Sequence, residues 1–165
     1  MKKLFFALFL ICSVTSLSAQ DSDLTTFILV RHAEKGNDDP RNPNLSEIGK
    51  ARAESLKTML MNAGVTAVYS TPYKRTQQTA EPLASAMGLE VQSYNPRSMD
   101  FLADIWKNHK GGTILITGHS NTTPFVANSL IGKDTFEMLD EKEYDKIFVV
   151  TGTASGKAKV TVLSY

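Results

Sequence analysis

The 165-residue chain has one cysteine, almost no net charge and no apolar run long enough to span a bilayer. Its 18 Lys and Arg residues against 17 Asp and Glu residues give a formal net charge of +1. No run of basic residues is present, so we expect no nucleic-acid partner. The chain is 42% hydrophobic and 21% charged, which is typical of a globular protein of one domain.

The N-terminus has the pattern of a secretory signal peptide. Met1–Lys3 carries positive charge, and Leu4–Cys12 is an apolar run that is too short for a transmembrane helix. Small and polar residues follow as far as Ala19, after which we predict cleavage. Residues 1–19 are therefore predicted to be the signal peptide, and residues 20–165 the exported domain.

Two alternatives to cleavage are a retained N-terminal anchor and a lipoprotein, but a lipoprotein needs a small residue before Cys12, where Ile11 stands. After cleavage we expect a periplasmic or secreted protein without stable membrane insertion. Because Cys12 leaves with the signal, the exported domain has no disulfide, cysteine nucleophile or cysteine metal ligand.

Short apolar runs alternate with helical patterns along the rest of the chain. Strands are predicted at Thr26–Val30, Val65–Tyr69, Leu89–Tyr94 and Thr113–Thr117, with a final hairpin of Lys146–Thr151 and Ala158–Ser164. Helices are predicted to start at Ser46, at Ser70–Pro72, at Ser98 and at Pro124, with a kink or restart at Pro82. This alternation predicts a three-layer α/β/α sandwich with a mainly parallel central sheet.

Four polar residues stand where the predicted parallel strands end. Arg31 and His32 end the first strand, Arg75 lies in the opening turn of the helix after the second, and His119 follows the fourth apolar run. Ligands of such folds bind beyond the carboxyl ends of the strands, so these side chains are expected to converge on one crevice. Two imidazoles and two planar guanidinium groups suit a phosphoryl group.

Four blocks of sequence resemble the motifs of the histidine phosphatase superfamily, also called phosphoglycerate mutase-like, in family order. They are Leu29–Lys35 with its Arg-His-Ala, Asn44–Gly49, Ser70–Ala80 and Thr117–Ser120. Any one block alone is a weak signal, whereas four in order are specific. In size the chain is most similar to the small, insertion-free branch of phosphohistidine phosphatases.

The resemblance implies a phosphoglycerate mutase-like fold and a phosphatase that needs no metal or other cofactor. It implies that His32 is the nucleophile that forms a phosphohistidine, that Arg31 and Arg75 bind the transferring phosphoryl group, and that His119 supports that group as a hydrogen-bond donor. The expected substrates are small phosphomonoesters or phosphoramidates. The natural substrate and the oligomeric state stay open.

The general acid is the point where the chain departs from its larger relatives. The mutases carry a glutamate acid on an insertion that is absent here, and the phytase-like branch carries an acid where this chain has Ser120. The candidates are Glu34 after the first strand and Glu81 on the helix of Arg75. Without an acid, we expect a preference for good leaving groups.

Other interpretations remain beside the phosphatase. The chain could be a catalytically weak or inactive protein that binds a phosphorylated ligand in the same pocket, or a secreted interaction domain with only the fold in common. Metal binding is not expected, since a zinc site needs at least three ligands and His109 is predicted to face solvent.

Overall fold

A computed structural model of the protein describes residues 24–98 and 100–165. The predicted signal peptide lies outside the described residues. The elements are β1 (Thr25–Arg31), α1 (Glu47–Leu60), β2 (Val65–Ser70), α2 (Lys74–Met87), β3 (Val91–Ser93), α3 (Asp100–Asn108), β4 (Thr113–Gly118), α4 (Thr122–Ile131), β5 (Lys146–Gly152) and β6 (Ala158–Ser164). None of the helices in these two ranges is long and apolar enough to cross a bilayer.

The strands form one sheet in the order β3-β2-β4-β1-β5-β6. The first four strands in this order are mutually parallel, and β5 and β6 continue the sheet as an antiparallel hairpin at its edge. The predicted mainly parallel sheet and the predicted terminal hairpin are therefore confirmed.

Helices cover both faces of the sheet, as the continuous apolar run of β1 indicates. Phe27 and Leu29 pack on one face with residues of α3 and α4, including Leu102 and Leu130. Their neighbours in the strand, Ile28 and Val30, pack on the other face with residues of α1 and α2, including Leu56 and Leu83. Since successive side chains of a strand point to opposite faces, a strand buried on both faces must be apolar at every position. The three-layer architecture is confirmed.

The first helix starts as predicted, and the second does not. Ser46 caps α1, with its hydroxyl accepting a hydrogen bond from the backbone N–H of Gly49 at 3.1 Å. The predicted start of α2 at Ser70–Pro72 is wrong, because this helix begins at Lys74 and has no side-chain cap. The hydroxyl of Thr71, the expected cap, contacts the hydroxyl of Thr76 and the ring of His119 instead.

Three smaller predictions also need correction. Pro82 lies inside the continuous helix α2 and does not restart it. The third strand is shorter than predicted, with only Val91–Ser93 in the ladder. The last helix begins at Thr122, two residues before Pro124. None of these differences moves the ends of the strands that carry the predicted site.

The register of the parallel strands sets the geometry of the site. Arg31 at the end of β1 is level with Gly118 at the end of β4, and Ser70 at the end of β2 is level with Thr117. Because β4 lies between β1 and β2, the residue after β4 stands between the other two strand ends. That residue is His119.

Candidate active site

The structure brings His32, His119, Arg31 and Arg75 together beyond the ends of β1, β2 and β4. We refer to these four residues as the His32 cluster. The rings of His32 and His119 meet edge to face, with centroids 5.3 Å apart. The guanidinium Nη2 of Arg75 donates to Nδ1 of His119 at 3.3 Å. Residues 31, 75 and 119 thus meet, although long segments of sequence separate them.

His32 is buried and held in one orientation. Its side chain Nδ1 lies 2.7 Å from the carbonyl oxygen of Ala33, so Nδ1 carries the proton and donates it. The other ring nitrogen, Nε2, then has a free lone pair. The backbone N–H of Ala33 in turn donates to the hydroxyl of Thr79 at 2.9 Å, which helps to hold the residue whose carbonyl orients the ring. This tautomer is the one a nucleophilic histidine requires.

Burial lowers the pKa of His32 from 6.5 to about 3. The charges of Arg75 and Arg31 contribute to this lowering of the pKa, and the hydrogen bond to Ala33 opposes it. The ring is therefore neutral at neutral pH. A neutral imidazole beside positive guanidinium groups keeps its lone pair available for attack on phosphorus.

His119 is held by contacts to both ring nitrogens. Nε2 lies 3.0 Å from the hydroxyl oxygen of Thr71, and Nδ1 accepts from Arg75. Because Nδ1 is the acceptor, the proton is on Nε2 and is donated to Thr71. Burial and the charge of Arg75 lower the pKa of His119 to about 4, so this ring is also neutral.

Gly118 allows the end of β4 to lie close to the first turn of α4. The backbone N–H of His119 donates to the hydroxyl of Thr122 at 2.8 Å, and that of His32 donates to the carbonyl of Gly118 at 2.9 Å. A Cβ at position 118 would lie 2.7 Å from the hydroxyl oxygen of Thr122 and 2.9 Å from that of Thr123. Glycine at this position is therefore needed for the close approach of β4 to the first turn of α4.

Each arginine of the cluster has a buried nitrogen without a partner. The terminal nitrogens of Arg31 bind the loop after α4: Nη1 donates to the carbonyl oxygens of Asp140 and Glu143, and Nη2 contacts the carboxylate of Glu141. The Nε atoms of Arg31 and Arg75 are buried and unpaired within the described residues. Since an unsatisfied buried donor is costly, these two N–H groups point to an anion as the missing partner.

Two tyrosines that the sequence analysis did not identify also contact the cluster. The ring of Tyr144 lies 4.3 Å from the Arg31 guanidinium carbon and 6.1 Å, between centroids, from His32. The ring of Tyr73 lies 4.8 Å from the Arg75 guanidinium carbon. Tyr73 stands within the motif that carries Arg75 and could have been found there. Tyr144 lies in a loop far along the chain, and no pattern in the sequence indicates its position.

The two predicted acids make their contacts with residues outside the His32 cluster. The carboxylate of Glu34 is bound by Arg52, with Arg52 Nη2 at 2.7 Å from Oε1 and Nε at 3.0 Å from both oxygens. Partial burial acts to raise the pKa of Glu34, but the hydrogen bonds and charge of Arg52 outweigh it and lower the pKa. Glu81 is exposed and lines a separate groove between α1 and α2 with Lys50 and Glu54.

The third histidine, His109, is half-buried and is not fully exposed to solvent as predicted. Nε2 of His109 lies 2.9 Å from the hydroxyl of Tyr69, at the end of α3 and away from the His32 cluster. In residues 24–98 and 100–165, no three side chains of His, Cys, Asp or Glu are grouped so that they could hold one metal ion.

Comparison with known proteins finds a family model that matches part of the chain. Residues 27–96 match the family model described as the histidine phosphatase superfamily, branch 1. Phosphoserine phosphatase 1 of Hydrogenobacter thermophilus is 42% identical over 74 residues, which is 41% of this chain and 35% of that protein. The chain thus matches about a third of the length of this curated relative.

The fold is similar to that of solved structures over nearly their whole length. The protein histidine phosphatase SixA, complexed with tungstate, aligns with a TM-score of 0.70 at 16% identity, covering 84% of this chain and 96% of that one. A mycobacterial glucosyl-3-phosphoglycerate phosphatase aligns with a TM-score of 0.69 at 12% identity, covering 86% and 98%. At these identities the similarity establishes the fold.

The fold and site thus define an α/β protein with a largely buried cluster of two neutral imidazoles and two guanidinium groups beyond the ends of the parallel strands. Residues 27–96, which are less than half of the chain, are similar to the histidine phosphatase superfamily, branch 1, and the fold is that of the solved structures.

Proposed function

We propose that this protein is an exported, metal-independent phosphatase that hydrolyses phosphomonoesters or phosphoramidates through a phosphohistidine on His32. The observation that carries the proposal is the neutral His32 ring, with Nδ1 bound to Ala33 and Nε2 free, beside two buried guanidinium nitrogens that have no partner among the described residues. A transferring phosphoryl group has three oxygens for such donors.

The reaction proceeds in two displacements at phosphorus. The Nε2 lone pair of His32 forms a bond to phosphorus while the bond from phosphorus to the leaving oxygen or nitrogen breaks, and the leaving group takes a proton from solvent. Water then attacks the phosphohistidine, the phosphorus–nitrogen bond breaks, and the electron pair returns to Nε2. Arg75 and Nε of Arg31 stabilise the charge on the phosphoryl oxygens. His119 accepts a hydrogen bond from Arg75, and its Nε2–H donates to the phosphoryl group instead of to the hydroxyl of Thr71.

The choice of substrate follows from the placement of the carboxylates. Glu34 is ion-paired and Glu81 lines another groove, so a poor leaving group receives no proton from either. Aryl phosphates and phosphoramidates, which leave more readily, are the expected good substrates. The names of the relatives support small phosphorylated compounds as the natural substrate class.

Trapping of the intermediate tests this function. The domain 20–165 is incubated with an aryl phosphate and excess chelator, quenched in alkali, and analysed by peptide mass spectrometry. We expect chelator-resistant turnover and a phosphorylated His32. His32→Ala should lose both, whereas His109→Ala, outside the cluster, should keep both. Turnover that needs a metal, or that survives in His32→Ala, would contradict the proposal.

A second candidate function is a protein that binds a phosphorylated ligand without hydrolysing it, and the diversion of both predicted acids favours it. Such a protein would bind phosphate and vanadate through Arg31 and Arg75 but would release no phosphate from any aryl ester. If Arg75→Ala and the unmodified domain bound phosphate equally, this second candidate would be excluded. The remaining interpretation would then be a secreted interaction domain.

Export is a separate part of the proposal and rests on residues 1–19. The full chain, expressed in a Gram-negative bacterium, should be recovered from the periplasmic fraction, and its first residue should be Gln20. A chain that keeps Met1 in the membrane fraction would indicate the retained anchor instead.

A further inference from the structure

A groove of about 400 Å³ adjoins the His32 cluster, and Arg75 belongs to both. The rest of its wall comes from the loop 35–43, between β1 and α1, which includes the exposed side chains of Lys35 and Arg41. We refer to this feature as the basic groove. Since Arg75 stands at the boundary, a group attached to a phosphoryl in the cluster can extend from it into the groove.

The loop that builds the groove is fixed at both ends. A β-bridge pairs Lys35 with Leu45, and the Gly36 N–H donates to the Asn44 carbonyl at 2.7 Å. The loop is also bound to α2, because the side-chain oxygen of Asn42 accepts from the backbone N–H of Lys74 at 2.9 Å. The groove therefore exists before a ligand enters, and little ordering entropy opposes binding.

A second contact joins the end of the loop to α2. The side-chain amide of Gln78 donates to the side-chain oxygen of Asn44 at 2.8 Å, and the side-chain oxygen of Gln78 accepts from the backbone N–H of Leu45 at the same distance. The helix that presents Arg75 thus also positions the loop that presents Arg41.

The charges that line the groove are unbalanced. Three of the lining residues are cations, Lys35, Arg41 and Arg75, and one, Asp39, is an anion. Within the described ranges, no carboxylate forms an ion pair with Lys35 or Arg41. Oδ1 of Asp39 accepts from the backbone N–H groups of Arg41 and Asn42 at 2.8 and 3.1 Å, so this oxygen is used by the turn itself.

The other carboxylate of the loop is also engaged. Oδ1 of Asp38 accepts from the backbone N–H of Asn44 at 3.0 Å, and Oδ2 accepts from its side-chain amide. Both acidic residues of the loop are therefore bound to the loop backbone, and the two long cationic side chains are left to a ligand.

We propose that the basic groove is a subsite for a second anionic group on the leaving-group side of the substrate. The preferred substrates are then phosphomonoesters whose leaving group carries a carboxylate or a further phosphate. This inference rests on the proposed function for its orientation, since it assumes that the phosphoryl group occupies the His32 cluster.

Matched ligands test the subsite. Hydrolysis of phenyl phosphate is compared with that of 3-carboxyphenyl phosphate and 3-phosphonooxyphenyl phosphate, and the ratio of kcat/KM to that of phenyl phosphate is the readout. Both anionic substrates should be preferred. In Lys35→Gln or Arg41→Gln the ratio should fall about threefold, and in the double variant about tenfold, as expected for partly exposed ion pairs. Lys133→Gln, an exposed residue after α4, removes the same charge and should leave the ratio unchanged.

Calorimetric titration with phenylphosphonate and 3-carboxyphenylphosphonate separates this inference from the proposed function, because phosphonates are not hydrolysed. Tighter binding of the carboxylated ligand, lost in the double variant, supports the subsite even if no ester is turned over. Turnover with a ratio of one in the unmodified protein, or a ratio that the double variant does not change, overturns the subsite and leaves the phosphatase proposal intact. A preference for one of the two anionic substrates alone identifies the chemical source of the second anion.

Discussion

Two charged regions lie on either side of Ala33, and they differ in whether their charges are paired within the fold. Before it, the His32 cluster combines two guanidinium groups with two imidazoles that are kept neutral, and leaves two buried nitrogens unpaired in the part of the chain that the structure describes. After it, the Glu34 carboxylate meets the Arg52 guanidinium in a three-bond ion pair. The comparison indicates that the first region, the His32 cluster, holds its positive charge for a ligand, and we refer to it as the open region. The second region, the ion pair of Glu34 and Arg52, satisfies its charge within the fold, and we refer to it as the closed region.

The largest effect is expected from Arg75, which supplies charge to the open region. Arg75→Ala should lower kcat/KM for an aryl phosphate by about a hundredfold or more, because a buried donor to the transferring group is lost. Arg75→Lys should recover only part of it, since an ammonium lacks the planar fork. Steady-state kinetics on both variants, with vanadate inhibition as an independent measure of anion binding, checks this. Equal kinetics for the Ala and Lys variants would show that a positive charge at this position contributes nothing without the planar guanidinium group.

The neutral imidazoles should make the folded protein sensitive to acid. Folded His32 has a pKa of about 3 against an ordinary value of 6.5, so between these pH values the unfolded chain binds the proton and the folded chain does not. Stability from this residue is present above pH 6.5 and is lost as the pH falls. Between pH 7.5 and 4.5 the loss should be about 2 kcal/mol for His32.

Urea unfolding of the unmodified domain and of His32→Asn at the two pH values isolates this contribution. The variant should lose less stability on acidification by about the same 2 kcal/mol, because the titrating group is gone. An identical acid response in both proteins would mean that His32 titrates alike in the folded and unfolded chains.

The closed region should matter to stability and little to catalysis. Glu34→Gln leaves Arg52 without its charged partner and should lower the free energy of unfolding by about 1–2 kcal/mol, while kcat stays within about threefold. A double-mutant cycle with Arg52→Met should assign most of that loss to the pair. A hundredfold loss of kcat in Glu34→Gln, larger for alkyl than for aryl phosphates, would instead identify Glu34 as the general acid.

The smallest effect is expected from Thr79, which joins the open region to α2. Its hydroxyl accepts from the Ala33 N–H and donates to the Arg75 carbonyl, so it helps to position both Arg75 and the residue that orients His32, the proposed nucleophile. Thr79→Val should lower kcat about threefold to tenfold with little change in KM, and Thr79→Ser should restore it. An unchanged kcat in Thr79→Val would show that the Ala33 peptide is held without this contact.

The sequence predicted the open region better than the closed one. His32 and His119 follow apolar runs that can only be central strands, and parallel strand ends must meet at one edge of the sheet. The pairing of Glu34 with Arg52, in contrast, depends on how closely the first turns of α1 pack on the residues that follow β1. Gly49 allows that approach, since a Cβ there would lie 2.2 Å from the Glu34 carbonyl oxygen, and no periodicity signals such a contact.

The start of α2 could not be predicted from capping rules, because the site competes for the same hydroxyl. Thr71 is a favourable N-cap by type, but its oxygen bonds to His119 and Thr76. Pro82 is expected to kink or restart the helix, yet α2 is continuous through it, and the buried neighbours Ala80 and Leu83 pack in the core beneath the sheet. The contacts of Arg31 with the loop at 140–143 span more than a hundred residues and leave no local pattern.

The position of β4 between β1 and β2 has a consequence for folding. His119 can meet His32 and Arg75 only after both parallel ladders have closed, and parallel pairing of distant segments is a late and slow step. A partly folded chain therefore has the histidines and arginines but no anion pocket. During refolding, vanadate binding should appear at the same time as the last amides of β4 become protected from hydrogen exchange. Ligand binding would then report the completion of the sheet.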